Sequence, residues 1–170
     1  DPPQVTQSYA ISSDLDSLLA SGASAAAVSA ISSWDNAGIV MEFTDAGYEP
    51  VESGNTSLYV ASHWEDSADD HGMGANIDIM ARPRDFTLRD FRGKTHGFGE
   101  QSIAFTVISA ISGSIQSVDI YLNSEVNLIN SSYNWTTDGG DFDIETVVLH
   151  ELGHALGLDH PDQVSDNPGS

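Results

Sequence analysis

The chain contains no cysteine, so neither disulfide bonds nor thiolate metal ligands are available to it. Exported bacterial and archaeal enzymes commonly do without such bonds, whereas small secreted eukaryotic domains lean on them. Basic residues are also scarce. Five Lys and Arg face 26 Asp and Glu, for a formal net charge of -21. Nucleic acids and anionic membrane surfaces both need a basic footprint, so neither is an expected partner. Self-repulsion at this level favours a soluble monomer and opposes compaction, which salt or bound cations would relieve. Two sources of the acidity stay open, adaptation to a salty medium and calcium sites that gather carboxylates. Long apolar runs are missing as well, and no basic-then-apolar segment opens the chain. The expectation is a soluble, processed and secreted protein.

Other quantities are ordinary. With 170 residues, 39% hydrophobic and 8% aromatic, the chain can bury a core and is not disordered throughout. Its basic residues, Arg82, Arg84, Arg89, Arg92 and Lys94, share one stretch. A local set of ion pairs on an acidic surface is the preferred reading, ahead of an anchor for acidic substrate side chains.

Val5 to Ile11 mixes β-branched, aromatic and polar residues and reads as a first strand. After a Ser/Asp-rich stretch, Ala23 to Trp34 carries helical spacing, with Ala27, Ile31 and Trp34 on one face and Val28 beside them. Ser24 or Ser21 is the expected N-cap, and Gly38 the stop. Ile39 to Thr44 reads as a second strand. The long polar loop that follows is interrupted by a strand-like run from Ser57 to Ser62. Asn76 to Met80 has the pattern of a core strand, with Ile77 and Ile79 on one face, and Ser102–Ser109 and Val118–Leu122 are two more. Asn123 to Asp143 is polar, turn-rich and studded with aromatics. It leads into a long helix starting near Asp143 or Ile144. Neither an internal repeat nor a linker divides the chain, so one α+β domain over residues 1–170 is expected, a twisted sheet carrying two main helices.

The segment that carries chemistry runs from Ile144 to His160. On an α-helix, residues one turn apart share a face, so His150 and His154 can offer ring nitrogens to one metal ion. Glu151 lies one step further round, near enough to reach a metal-bound water without being a ligand. Gly157 falls where the helix should stop, because a residue without Cβ turns the chain at positive φ. His160, just past that turn, can come back as a third ligand. Three imidazoles and an open position describe a catalytic zinc site, whereas structural sites close all four positions with protein. Glu151 is then the general base towards the acidified water and the proton carrier to the leaving amine. The alternative is a helix whose histidines are incidental. Val148, Leu149, Leu152 and Leu156 already supply its apolar face, so packing does not require them.

Asp143 sits where an N-cap belongs, with Glu145 in the first turn, favourable to the helix dipole. Asp138 and Asp141, around two glycines, are candidate calcium ligands. His63, His71 and His96 lack tight spacing and read as surface histidines rather than a second metal site. Asn55, Asn130 and Asn134 each begin a glycosylation triplet, a pattern too short to count as evidence.

His150 to His160 matches the extended zinc motif His-Glu-x-x-His-x-x-Gly-x-x-His, and the chain resembles the metzincins. Pro161 after the third histidine is similar to the serralysins. The remaining order of elements resembles the bacterial matrixins: a short first strand, a helix ending in tryptophan, an Ile77-Asp78-Ile79 strand, an edge strand and Val118 to Asn123 before the zinc helix. The resemblance implies a zinc endopeptidase acting on extended polypeptides. It also implies a mostly parallel five-stranded sheet with an antiparallel edge strand, an N-terminal helix and a C-terminal zinc-binding helix. The strand Ser102–Ser109 would be the edge along which substrate pairs. Matrixins often hold a second, structural zinc; Phe86, Phe105 and Asp119 stand at roughly those positions, so it is not expected here. No methionine follows His160 to form the family's Met-turn, and the chain is expected to stop short of it. A metzincin fold that holds zinc without turnover is the competing reading, and an acidic calcium-dependent adhesion protein a third.

Overall fold

A computed structural model describes residues 5–37, 41–45, 77–89, 94–111 and 114–158. Its centre is a five-stranded sheet in the order β2-β1-β3-β7-β6, formed by β1 (Val5–Ile11), β2 (Met41–Asp45), β3 (Ile77–Arg82), β6 (Ala104–Ile111) and β7 (Ser114–Asn123). Strands β1, β2, β3 and β7 run parallel, and β6 closes one edge antiparallel to β7. This is the expected arrangement. The expected run Ser57–Ser62, together with His63 and His71, lies outside the described residues.

Side-chain alternation sends each strand's residues to two different cores. Ile11, Ile77, Ile79, Ala81, Val118, Ile120 and Leu122 face the helices, while Ala10, Met80, Val107 and Tyr121 face the opposite side. Every residue of β3 is buried, as expected of a central strand covered on both faces. The outer face is roofed by a hairpin absent from the sequence reading, β4 (Thr87–Arg89) with β5 (Thr95–Gly97). Phe86 and Phe105 each pack on Tyr121, at centroid distances of 5.0 and 4.9 Å. Their positions hold an aromatic stack.

Two carboxylates interrupt this apolar roof. Asp78 and Asp119 face one another in register on β3 and β7, 2% and 1% exposed. Burial is the main influence on Asp119, and the neighbouring Asp78 adds to it; together they push its pKa well above the usual carboxylate range, against the pull of Arg82. Arg82 is itself buried, with its guanidinium 5.5 Å from the Phe86 ring centroid. Arg84 differs from the expected ion pairing. Its guanidinium donates to the carbonyls of Leu128 and Glu100, at 3.1 and 2.9 Å.

On the other face lie α1 (Leu15–Leu18), α2 (Ala23–Asn36) and α3 (Ile144–Ala155). The single turn of α1 falls in the Ser/Asp-rich stretch, where only Leu15 buries itself. In α2 the buried stripe is Ala23, Ala26, Ala27, Ala30 and Ile31, small enough to let α3 approach closely. Neither Ser24 nor Ser21 caps this helix. Gly22 is the N-cap, at φ 87°, and the orphan amides of Ser24 and Gly22 donate to Asp16 from the preceding turn. A carboxylate six to eight residues upstream does the work expected of a serine, and those bonds hold the Asp16 pKa below its ordinary value.

Helix α2 then grips α3 at two levels. Ser29 donates to Glu145 at 2.8 Å, and the Trp34 indole donates to the Leu149 carbonyl at 3.0 Å. The route from β7 into α3 is fixed by Asn123, which is fully buried. Its amide side chain donates to the Ser102 carbonyl, its Oδ1 accepts from the Glu125 amide, and its own carbonyl accepts from the Trp135 indole. A one-turn helix at Val126–Leu128 and a small parallel pair, β8 (Trp135–Thr136) with β9 (Phe142–Asp143), complete the passage.

Candidate metal centre

Helix α3 begins as its sequence requires. Asp143 is the N-cap, and its side chain accepts from the Thr146 amide and hydroxyl at 2.9 and 2.7 Å. The Gly139 amide donates to the same carboxylate at 3.1 Å. These bonds, led by the Thr146 hydroxyl, hold Asp143 below the usual carboxylate range. They also fold the loop of the two calcium candidates back onto the helix start. Asp138 and Asp141 are exposed there, and among the described residues no group of three or more His, Asp or Glu could hold a metal ion.

The helix also ends as its glycine demands. Gly157 takes φ 85°. Its amide donates to the His154 carbonyl at 2.8 Å, and the Leu158 amide donates back to the Gly153 carbonyl at 3.0 Å. This pair of bonds is a Schellman closure, which turns the chain sharply off the helix axis.

Between these ends, α3 buries Ile144, Val148, Leu152 and Ala155 against the sheet. His150 and His154 share another face. Their Nε2 atoms stand 3.1 Å apart and the rings meet edge to face. Two nitrogens bound tetrahedrally at about 2.0–2.1 Å from one zinc ion are about 3.3 Å apart, so the pair fits the ion with almost no adjustment. His154 is also oriented from behind, with Nδ1 2.7 Å from the Leu158 carbonyl. A carbonyl only accepts, so Nδ1 carries the proton and Nε2 keeps its lone pair for a metal. The motif reading missed this oriented carbonyl; the signal was the glycine stop placed between His154 and Leu158. His160, the expected third ligand, and Pro161 lie outside the described residues.

Glu151 separates from the histidines in burial. It is 7% exposed, against an exposed His150 and a half-buried His154. Its Oε2 accepts a 2.5 Å hydrogen bond from the Thr106 hydroxyl on β6. Thr106 pairs with Ile120 in the sheet and shares its helix-facing side. No other strand pairs with the outer edge of β6 among the described residues. The expected edge strand, Ser102–Ser109, thus runs directly past the carboxylate, although ordered pairing begins at Ala104.

Residues 4–166 match the matrixin family model. The chain belongs to the matrixin family. That span takes in the sheet, all three helices and both histidines. No curated protein gives a significant match to this chain. Membership makes its function of the metallopeptidase type, and zinc is the family's usual metal, with polypeptides the corresponding substrates. No helix of this matrixin, among the described residues, is long and apolar enough to cross a membrane.

Proposed function

We propose that this matrixin is a secreted, monomeric zinc endopeptidase that hydrolyses internal peptide bonds of extended polypeptides. The observation that carries the proposal is the 3.1 Å spacing of the His150 and His154 Nε2 atoms beside the buried carboxylate of Glu151. His150, His154 and His160 are the ligands in this reading, which leaves one coordination position open. The chemistry supplied by the metal when bound is Lewis acidity, which acidifies a water molecule and polarises the scissile carbonyl.

Glu151 would be the general base, accepting a proton from the attacking water and passing it to the leaving amine. Its burial supports the role, since packing and the Thr106 contact limit the orientations the carboxylate can take. The substrate lies extended along the outer edge of β6, which pairs with no other strand among the described residues and can take it as a further strand. Residues 1–170 lie within one catalytic domain.

The test is the Glu151→Gln variant. It retains about one zinc per chain by metal analysis and loses chelator-sensitive cleavage of casein. Turnover surviving in that variant would refute the mechanism. Zinc bound by the wild-type chain without any turnover would assign it instead to metal-dependent binding.

A further inference from the structure

We infer that Thr106 is a positioning residue for the general base, holding the Glu151 carboxylate in its working orientation from the substrate-binding strand. The inference rests on the endopeptidase reading and extends it to a residue outside the zinc motif.

Thr106 faces α3 from β6, and its hydroxyl stands 2.5 Å from Glu151 Oε2 and 3.4 Å from the Glu151 backbone carbonyl. A hydroxyl has one proton to donate. The shorter contact takes it, and its length belongs to the charge-assisted class of O–H to carboxylate bonds. A glutamate on a helix has three rotatable bonds, and a base works only when its oxygen is held within hydrogen-bonding reach of the proton it removes. Thr106 occupies Oε2, which leaves Oε1 to receive the proton. Sequence neighbours cannot do this work, because the flanking residues His150 and Leu152 point to the metal face and to the core.

The position of Thr106 links base and substrate. It lies within the strand that the substrate is proposed to extend, so strand addition and base orientation share one element. Displacing β6 would loosen both. A valine has the same shape without the hydroxyl, and a serine keeps the hydroxyl without the methyl group.

The experiment compares the full chain, loaded with zinc, as wild type, Thr106→Val, Thr106→Ala and Thr106→Ser. For each, kcat and KM on one internally quenched peptide are measured, with zinc content and the unfolding midpoint of the chelated protein. The expected result for Val and Ala is full zinc content and a kcat lowered about 10-fold, equivalent to about 1.4 kcal/mol, with KM within about twofold. Thr106→Ser restores kcat to within about threefold of wild type. An unchanged kcat in a zinc-replete Val or Ala variant overturns the inference, as does a Ser variant as slow as Val. A loss confined to KM overturns it too, by assigning Thr106 to substrate contact. Wild-type chain with no chelator-sensitive turnover overturns the endopeptidase reading itself, and this inference with it.

Discussion

Replacing Gly157 with alanine isolates the backbone turn behind the metal centre. Gly157 holds φ 85°, and among the described residues a Cβ added there meets nothing within 4 Å. The penalty considered is therefore the conformational one. Placing an L-residue other than glycine in the left-handed region costs about 1–2 kcal/mol. Alanine also restricts the unfolded chain, which returns about 0.4–1 kcal/mol. The net loss is about 1 kcal/mol, or about 2–4 °C in Tm for a chain of this size.

The consequence for the site is larger than for the fold. Leu158 follows Gly157 and supplies the carbonyl that orients His154. A turn relaxed by alanine moves that carbonyl, and loss of such an orienting partner lowers metal affinity about 10–100-fold. Zinc affinity is measured by competition with a chromophoric chelator, and Tm by calorimetry on the chelated protein. Asparagine tolerates the left-handed region, so Gly157→Asn recovers most of both quantities. Wild-type zinc affinity in Gly157→Ala, at the lowered Tm, would refute the link between turn and ligand. An unchanged Tm would refute the strain itself.

Other outcomes follow from the same structure. The raised pKa of Asp119 means the folded state keeps a proton that the unfolded chain has lost above about pH 3.9, so its contribution declines as pH rises from there through the folded pKa. Asp119→Asn is therefore more stable than wild type at neutral pH, with the difference shrinking towards pH 4 in paired denaturant titrations. Asp143 has the opposite sign: its lowered pKa gives stability that is present above about pH 3.9 and lost as pH falls through the folded pKa. Asp143→Ala costs about 1 kcal/mol at pH 7 and less once the wild-type carboxyl is protonated, which thermal melts across pH can read. Trp34→Phe removes the indole bond to Leu149 and lowers stability by about 1 kcal/mol, measured by urea unfolding. Leu152→Ala, at a position with no exposure, costs about 2–5 kcal/mol by the same assay.

Much of the site was legible because its determinants are local. The one-turn separation of His150 and His154 is a property of any α-helix, and so is the need for a cap at Asp143 and a stop at Gly157. Two strands were readable in the same way: β-branched and aromatic residues marked β1, and Ile77 and Ile79 on one face marked β3. The same logic failed at Gly22. A serine next to a helix start satisfies the usual rule, but α1 brings Asp16 close enough to take the amides first.

What only the tertiary structure decided are the contacts between distant segments. Thr106 and Glu151 are 45 residues apart, and nothing in either neighbourhood announces the other. Their meeting depends on β6 being the antiparallel edge and on α3 crossing beneath it. Asp78 and Asp119 become neighbours only through the parallel register of β3 and β7, which turns two ordinary carboxylates into a buried pair. The sequence by itself determined which helix offers two histidines and where that helix begins and ends, because hydrogen bonding and backbone geometry act within a few residues. Tertiary packing decided which side chain holds the base and which carboxylates lose their water, because those depend on what the fold brings alongside.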